Sequence, residues 1–483
     1  MIDFSLILPV TILGAYALLL LLLSPLFREG SRIIGFTSLI AIVLSGIATI
    51  MIWGPERFTA LNMVFIDNFG LFFSLIILAI SFLTVMSSIS FTEREGIYYG
   101  EFYSLILLAT AGMIVMIQSR NLLIIFIGLE LLSIPLYILA GITRNRLKSL
   151  ESSLKYFLLG AFSTGFILYG IALIYGVTGS FDLHGISQLP EKGALGLIGV
   201  GLIIIGFGFK MAAFPFHFWA PDVYQGAPTI ISGFMATGTK TAAFAALLRV
   251  LNTSFGEEAV KWVSVLTLLS IITMSFGNLV ALAQRNIKRM LAYSSIAHAG
   301  YLLIAVVVTG ISIDGVNGLS AGVSAIVYYL LAYALMTIGA FAAASLIGRG
   351  TEEYEEGYEL ENYSGLGYRR PLLAAAMSIF LLSLTGIPPT AGFIGKFYVF
   401  KAAIEMKLYV LAIVGILNSV IAAYYYLRVI VHMYMKEPAL PGEVSKPGFS
   451  ASVALAIAVL FTFILGTVPG KILYLVSGLF RTL

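Results

Sequence analysis

Residues 207–222 read FGFKMAAFPFHFWAPD. A lysine, a histidine and two prolines stand here inside a run otherwise fit to cross a membrane. A charged side chain at the centre of a bilayer helix costs roughly 2.5–3.5 kcal/mol on insertion scales, so Lys210 needs a reason to be there. Pro215 lacks an N–H, and its ring clashes with the carbonyl four residues back. The helix is therefore predicted to kink or break just beyond the lysine. A broken helix beside a buried charge is a pattern of transport proteins.

The surrounding composition supports a membrane setting. Of 483 residues, 59% are hydrophobic and only 11% charged, where soluble domains carry about 25%; the mean hydropathy is +1.00. The chain reads as an all-α, multi-pass integral membrane protein. The absence of cysteine excludes disulfides, iron–sulfur clusters, thiolate zinc and c-type haem. The four histidines, at 184, 217, 298 and 432, form neither HExxH nor an i, i+4 pair, so no metal and no resident redox cofactor is expected. The net charge of +4 comes from basic loops and gives no argument for nucleic acid. The first apolar run follows Asp3 without a basic leader and is too long for a signal core, so it is expected to be a retained span.

Apolar runs place fourteen spans at 4–26, 33–53, 68–90, 101–119, 121–142, 150–176, 194–216, 228–250, 260–283, 288–310, 320–347, 371–404, 408–434 and 449–470. The spans at 371–404 and 408–434 are long enough that they must tilt, break or project. Loops after odd-numbered spans hold Arg28, Arg32, Arg94, Arg144, Arg146, Lys148, Arg285, Lys288, Arg289, Arg349, Arg369, Arg370, Lys436 and Lys446. The other loops hold half as many: Arg57, Arg120, Lys192, Lys261, Lys407, Lys471 and Arg481. The basic side faces the cytoplasm, which puts both termini outside. The longest polar loop, about 348–370, includes the glutamate-rich TEEYEEGYELENYSG. It reads as a solvated loop or as a docking surface. The chain from Lys471 onward is weakly amphipathic, with no long carboxy-terminal helix expected.

Seven basic residues fall within spans. Arg249, Arg428 and Lys401 lie near span ends, where long side chains snorkel to the headgroups. Lys155 could do the same from the sixth span. Lys210 and Lys396 each occupy a proline-interrupted span, GFKMAAFPFHF and PPTAGFIGKFYVF, where Pro215, Pro388 and Pro389 mark the breaks. Five spans separate them, and an odd number inverts the second copy of a repeat. Lys240 sits mid-span among Thr237, Thr239 and Thr241. Glu130 is a mid-span carboxylate, which in lipid takes up a proton, seeks a cation, or bonds a hydroxyl such as Ser133. His298 lies near Ser294, Ser295 and Tyr301 and reads equally as a hydrogen-bonded interior residue or a proton relay. His217, within one turn beyond Pro215, is a weaker candidate, and His184 and His432 lie at span ends. Together, Glu130, Lys210, Lys240, His298 and Lys396 form a string of ionisable groups at similar depth, a signature of ion translocation.

PFHFWAPDVYQGAPT, SGFMATGTKTAAF, NIKRMLAYSSIAHAGYLL and TGIPPTAGFIGKFYVF resemble the antiporter-like membrane subunits of respiratory complex I, the proton-pumping NADH:quinone oxidoreductase. Within that family PDVYQGAPT and GTK resemble the subunit N branch. Lys396 argues against the subunit M branch and the end of the chain against subunit L. The resemblance implies two inverted five-helix repeats with broken seventh and twelfth helices. Residues 1–100 would hold three amino-terminal helices, 101–255 and 256–436 the repeats, and 437–483 a last helix and tail. It implies proton transfer by Glu130, Lys155, Lys210, Lys240, His298 and Lys396, with Glu130 modulating Lys210. NADH, FMN, iron–sulfur clusters and quinone would belong to partner subunits, in the inner (plasma) membrane. The alternatives are an Mrp-type cation/proton antiporter, a membrane subunit of a related hydrogenase or ferredoxin-linked complex, and a purely structural subunit.

Overall fold

The computed structural model describes residues 4–24, 31–58, 63–97, 100–189, 192–313, 315–347, 355–437 and 448–477. Arg28, Arg349, Lys446 and Arg481 of the loop charges, and the start of the glutamate-rich loop, lie outside these residues.

The first helices are α1 (Leu8–Leu23), α2 (Ser31–Met51), α3 (Asn68–Arg94), α4 (Glu101–Ile117), α5 (Leu122–Ala140), α6 (Leu147–Thr178) and the short α7 (Leu183–Ser187). Next come α8 (Gly193–Met211), α9 (Trp219–Gly226) and α10 (Thr229–Phe234), which runs through a π-helical turn, Met235–Thr239, into α11 (Lys240–Ser254). The remainder is α12 (Ala259–Leu282), α13 (Ile287–Thr309), α14 (Gly318–Ile347), α15 (Leu366–Arg369), α16 (Pro371–Thr385), α17 (Ala391–Glu405), α18 (Tyr409–Met435), α19 (Phe449–Thr467) and α20 (Gly470–Ser477). Two pairs of two-residue strands are the only sheet among the described residues. Twelve helices there are long and apolar enough to cross a membrane, and α4 and α16 are shorter apolar helices. All the expected spans fall on these helices.

Helix starts are set by short polar side chains that accept the otherwise unpaired first N–H groups. Asp67 accepts from Gly70 at the head of α3, Asn121 from Leu123 at α5, and Asn286 from Arg289 at α13. Small residues then set how closely helices approach. A Cβ on Gly112 of α4 would stand 2.4 Å from the Leu132 nitrogen of α5, and one on Gly128 of α5 2.6 Å from the Met116 nitrogen of α4. The same reciprocal contact joins α12 to α13, where Cβ atoms on Gly277 and Gly300 would lie 2.6 Å from the nitrogens of Ala297 and Met274.

Two helices stop inside the bundle. The span expected at 194–216 ends as α8 at Met211, because Pro215 could not continue it without striking the Met211 carbonyl. Ala212 turns left-handed, its N–H bonding the Phe209 carbonyl and that of Ala213 the Gly208 carbonyl. This double bond closes the helix end as a Schellman motif. The span expected at 371–404 divides into α16 and α17, and its end repeats the device. Left-handed Gly386 bonds the Ser383 carbonyl and Ile387 the Leu382 carbonyl. Gly392, in the first turn of α17, lies so close to α16 that an added Cβ would meet the Ser383 carbonyl oxygen at 1.8 Å. Gly392→Ala is therefore expected to cost about 1–3 kcal/mol by overpacking and to lower the melting temperature of the purified assembly. Gly201→Ala, whose Cβ meets nothing within 4 Å, is the control that should leave it unchanged.

Of the three span-end cations expected to snorkel, two depart from the sequence reading and one follows it. Arg249 does not snorkel. It is 1% exposed and forms a two-pronged ion pair with Asp67 at 2.8 and 2.9 Å, flanked by the rings of Phe65 and Phe69. Arg428 donates to the carbonyls of Leu282 and Gln284, capping the end of α12. Lys401 stays half-exposed beside Glu405, as a snorkelling side chain does. The described part of the glutamate-rich loop is not simply solvated: Tyr358, Leu360 and Tyr363 are buried. Thr229 donates to the Tyr358 hydroxyl at 2.7 Å, and Asn286 donates to Glu359 at 3.2 Å.

Candidate functional site: a row of buried cations

Lys210 occupies the last turn of α8 and is 1% exposed. Its ammonium donates to the Ser133 hydroxyl at 2.7 Å and the Tyr137 hydroxyl at 3.4 Å, both on α5. The rings of Tyr137, Tyr156 and Phe209 lie within 5.9 Å of Nζ, where a ring face attracts a cation. Glu130 precedes Ser133 by one turn. It forms no ion pair with Lys210 among the described residues, and its Oε1 is buried without a hydrogen-bond partner. Ser133, a candidate partner of Glu130 by sequence, serves the lysine and donates to the Leu129 carbonyl instead.

Lys240 begins α11 directly after the π-helical turn and is fully buried. Such turns interrupt the regular backbone ladder and recur at functional positions. Its ammonium donates to the carbonyl and, at 2.6 Å, to the hydroxyl of Ser295 on α13. The Tyr333 hydroxyl of α14 donates to the same Ser295 oxygen at 2.8 Å. One turn further along α13, His298 places Nδ1 2.6 Å from the Tyr329 hydroxyl and Nε2 3.2 Å from that of Tyr426. Tyr426 in turn hydrogen-bonds Ser294. The His298 ring packs against Tyr333 and Tyr301, at centroid distances of 5.2 and 5.7 Å.

Lys396 lies in the second turn of α17, buried, with Nζ 2.9 Å from the Thr385 carbonyl and 5.0 Å above the Tyr301 ring. The Thr385 carbonyl is at the carboxy-terminal end of α16, where the helix dipole favours a cation. Lys396 also lines a groove of about 620 Å³ between α17 and α18, together with Phe400, Lys401 and Glu405.

The structure therefore brings Lys240, His298 and Lys396 together: hydrogen bonds run from Lys240 through Ser295 to Tyr333, and ring packing of Tyr333 and Tyr301 spans from there past His298 to Lys396. Lys210 and Glu130 form a separate station on α5 and α8. Lys155 belongs to neither. Its side chain is 40% exposed and pairs with Glu151 and Asp222, each at 2.7 Å. His217 is buried against Phe214 and Phe276 with Nδ1 unpartnered. Among the described residues no three His, Asp or Glu side chains converge as a metal site would require.

Residues 119–422 match the family described as NADH:quinone oxidoreductase/Mrp antiporter, TM. The chain belongs to that family. The matching region contains every candidate residue, from Glu130 to Lys396. "NADH-quinone oxidoreductase subunit N" of Trichlorobacter lovleyi is 45% identical over 98% of this chain and 95% of its own. "NADH-quinone oxidoreductase subunit N 1" of Solibacter usitatus is 42% identical over 96% and 95%. Among solved structures, a chain of respiratory complex I from Thermus thermophilus superposes with a TM-score of 0.81 at 37% identity, covering 97% of this chain and 99% of that one. A chain of the Mrp complex from Dietzia sp. shares the fold at 20% identity, with a TM-score of 0.81, over 98% and 96%.

For a member of this antiporter-like family, the groups that sequence reading missed are the neutral ones. Tyr137 bonds Lys210, Tyr329 and Tyr426 bond His298, and Tyr333 bonds the Ser295 that serves Lys240. The signal was present in AIVYYLLAYALM, residues 325–336, where Tyr329 and Tyr333 recur one turn apart on one helix face.

Proposed function

We propose that this chain is a proton-translocating membrane subunit of NADH:quinone oxidoreductase, of the subunit N type, with partner membrane subunits on either side. The observation that carries the reading is the row from Lys240 through Ser295, Tyr333, His298 and Tyr301 to Lys396, lying within the family-matching region. Amines buried in apolar surroundings can both hold and release a proton, and hydroxyls both donate and accept. The chain does no redox chemistry of its own; NADH, FMN, iron–sulfur clusters and quinone belong to its partners. Charge arriving from quinone reduction acts on Glu130 and then on Lys210. Lys210 changes between proton-holding and proton-releasing states, and a proton passes by way of Lys240 and His298 to Lys396. Lys155 acts at the edge of this route.

The matching glycine contacts and the matching helix ends at Ala212 and Gly386 support two five-helix repeats, 101–255 and 256–436, inverted with respect to each other. The plasma membrane, with both termini outside, is the setting that the loop charges favour. An Mrp-type antiporter would share the fold, but full-length relatives at 42% and 45% identity carry the subunit N name. In the assembled complex, Lys210→Ala and Lys396→Ala are each expected to leave the subunit assembled and to depress protons pumped per electron. Wild-type stoichiometry in both variants would sink the proposal.

A further inference from the structure

α9 has eight residues, too few to hold its shape alone, yet it fills the gap left where α8 stops. Its one carboxylate, Asp222, is bonded in two directions. Oδ2 accepts from Lys155 of α6 at 2.7 Å, and Oδ1 accepts from Arg289 of α13 at 2.7 Å. Arg289 also donates to Gln225, one turn along α9, at 2.9 Å. Ser152 of α6 donates weakly to the Asp222 carbonyl at 3.4 Å. Gly226 meets the same helix so closely that a Cβ would stand 2.0 Å from the Ser152 hydroxyl.

One turn before Asp222, Trp219 is fixed to the Lys210 station. Its indole N–H donates to the Phe209 carbonyl at 2.9 Å, the residue before Lys210. Its ring stacks on Tyr156 at 4.6 Å, and Tyr156 is one of the rings around the Lys210 ammonium. On the other side, α13 presents Ser295 to Lys240 and carries His298.

We infer that Asp222 is a positioning residue for proton transfer: it clamps α9 between α6 and α13, and through Trp219 it sets the end of α8 that holds Lys210. Lys155 and Arg289 are the two jaws of the clamp, which accounts for a span lysine that lies apart from the buried row. This inference rests on the proposed proton route, since a clamp on Lys210 matters to pumping only if Lys210 carries protons.

The test uses the whole complex in its native membrane, reading assembled amount, electron-transfer rate and protons moved per electron. Asp222→Asn keeps the shape and removes the charge. It is expected to leave assembly near wild type while the rate of pumping through this subunit falls by up to about 100-fold, the scale of loss that follows a small misplacement of a reacting group. Asp222→Glu restores the charge and should recover most of the pumping, which a merely structural loss would not predict. Trp219→Phe keeps the stacked ring but lacks the indole donor, and should reproduce the Asn variant's loss even if that variant assembles poorly. Wild-type pumping in Trp219→Phe, or in an assembled Asp222→Asn, overturns the inference. Lys210→Ala, measured alongside, separates the two ideas: full pumping there removes the route itself, whereas lost pumping there with intact Asp222→Asn and Trp219→Phe removes only the clamp.

Discussion

Replacing Arg249 with methionine is expected to deplete the subunit from the assembled complex. Asp67 would then be left 0% exposed with its ion partner gone, keeping among the described residues only the Gly70 N–H at 2.8 Å. Removing one member of a buried pair costs about 3–5 kcal/mol, because the remaining charge is neither solvated nor paired. That is a large share of the 5–15 kcal/mol by which a typical domain is stable. The double variant Arg249→Met with Asp67→Asn should recover much of the loss, since the asparagine oxygen still caps α3 and no net charge stays buried. The measurement is subunit abundance and melting temperature of the purified complex. A single variant as abundant and as heat-stable as wild type would show that the pair contributes nothing.

Lys240→Met should behave in the opposite sense. This lysine is fully buried and among the described residues has only Ser295 as a hydrogen-bond partner, so an apolar chain of similar length removes a charge without an ion partner there and leaves packing intact. Assembly is expected at or above the wild-type level. The rate of proton transfer through this subunit is expected to fall about 100-fold or to background, the scale on which a group that passes a proton contributes. Ser295→Ala should likewise spare assembly, because the backbone carbonyl remains to accept from the amine, but should slow transfer along the row, because a carbonyl cannot pass a proton on. Pumping in Lys240→Met equal to that of wild type, measured with a pH-sensitive dye in sealed vesicles, would remove Lys240 from the route.

What could be read from the sequence was whatever a local run decides. Hydropathy places a span without knowledge of its neighbours, and Pro215 ends a helix wherever it lies. The lysines declared themselves because a charge in an apolar run is costly in any fold. What could not be read was who answers each charge. Arg249 looked like a snorkelling residue because Asp67, its partner, is 182 positions away. Glu130 and Lys210 were expected to meet, yet Ser133 and Tyr137 reach the amine, a choice made by rotamers across α5 and α8. Lys155 read as a possible snorkelling residue and joined the proton-carrying lysines only through the family resemblance; its pairing with Asp222 depends on how α9 folds back against α6. The burial of Tyr358, Leu360 and Tyr363 was hidden by the glutamates around them.

The cations of the row are met almost entirely by hydroxyls and carbonyls. A hydroxyl that accepts a proton on one side and gives one up on the other ends the exchange with its O–H turned round. On the proposed route, each passage would leave Ser295 and the tyrosines about His298 pointing the wrong way for the next proton, and they would have to rotate back before another could follow. Transport along the proposed row would then be a two-stroke process, in which the return stroke moves no charge across the membrane yet sets how soon the next one can begin.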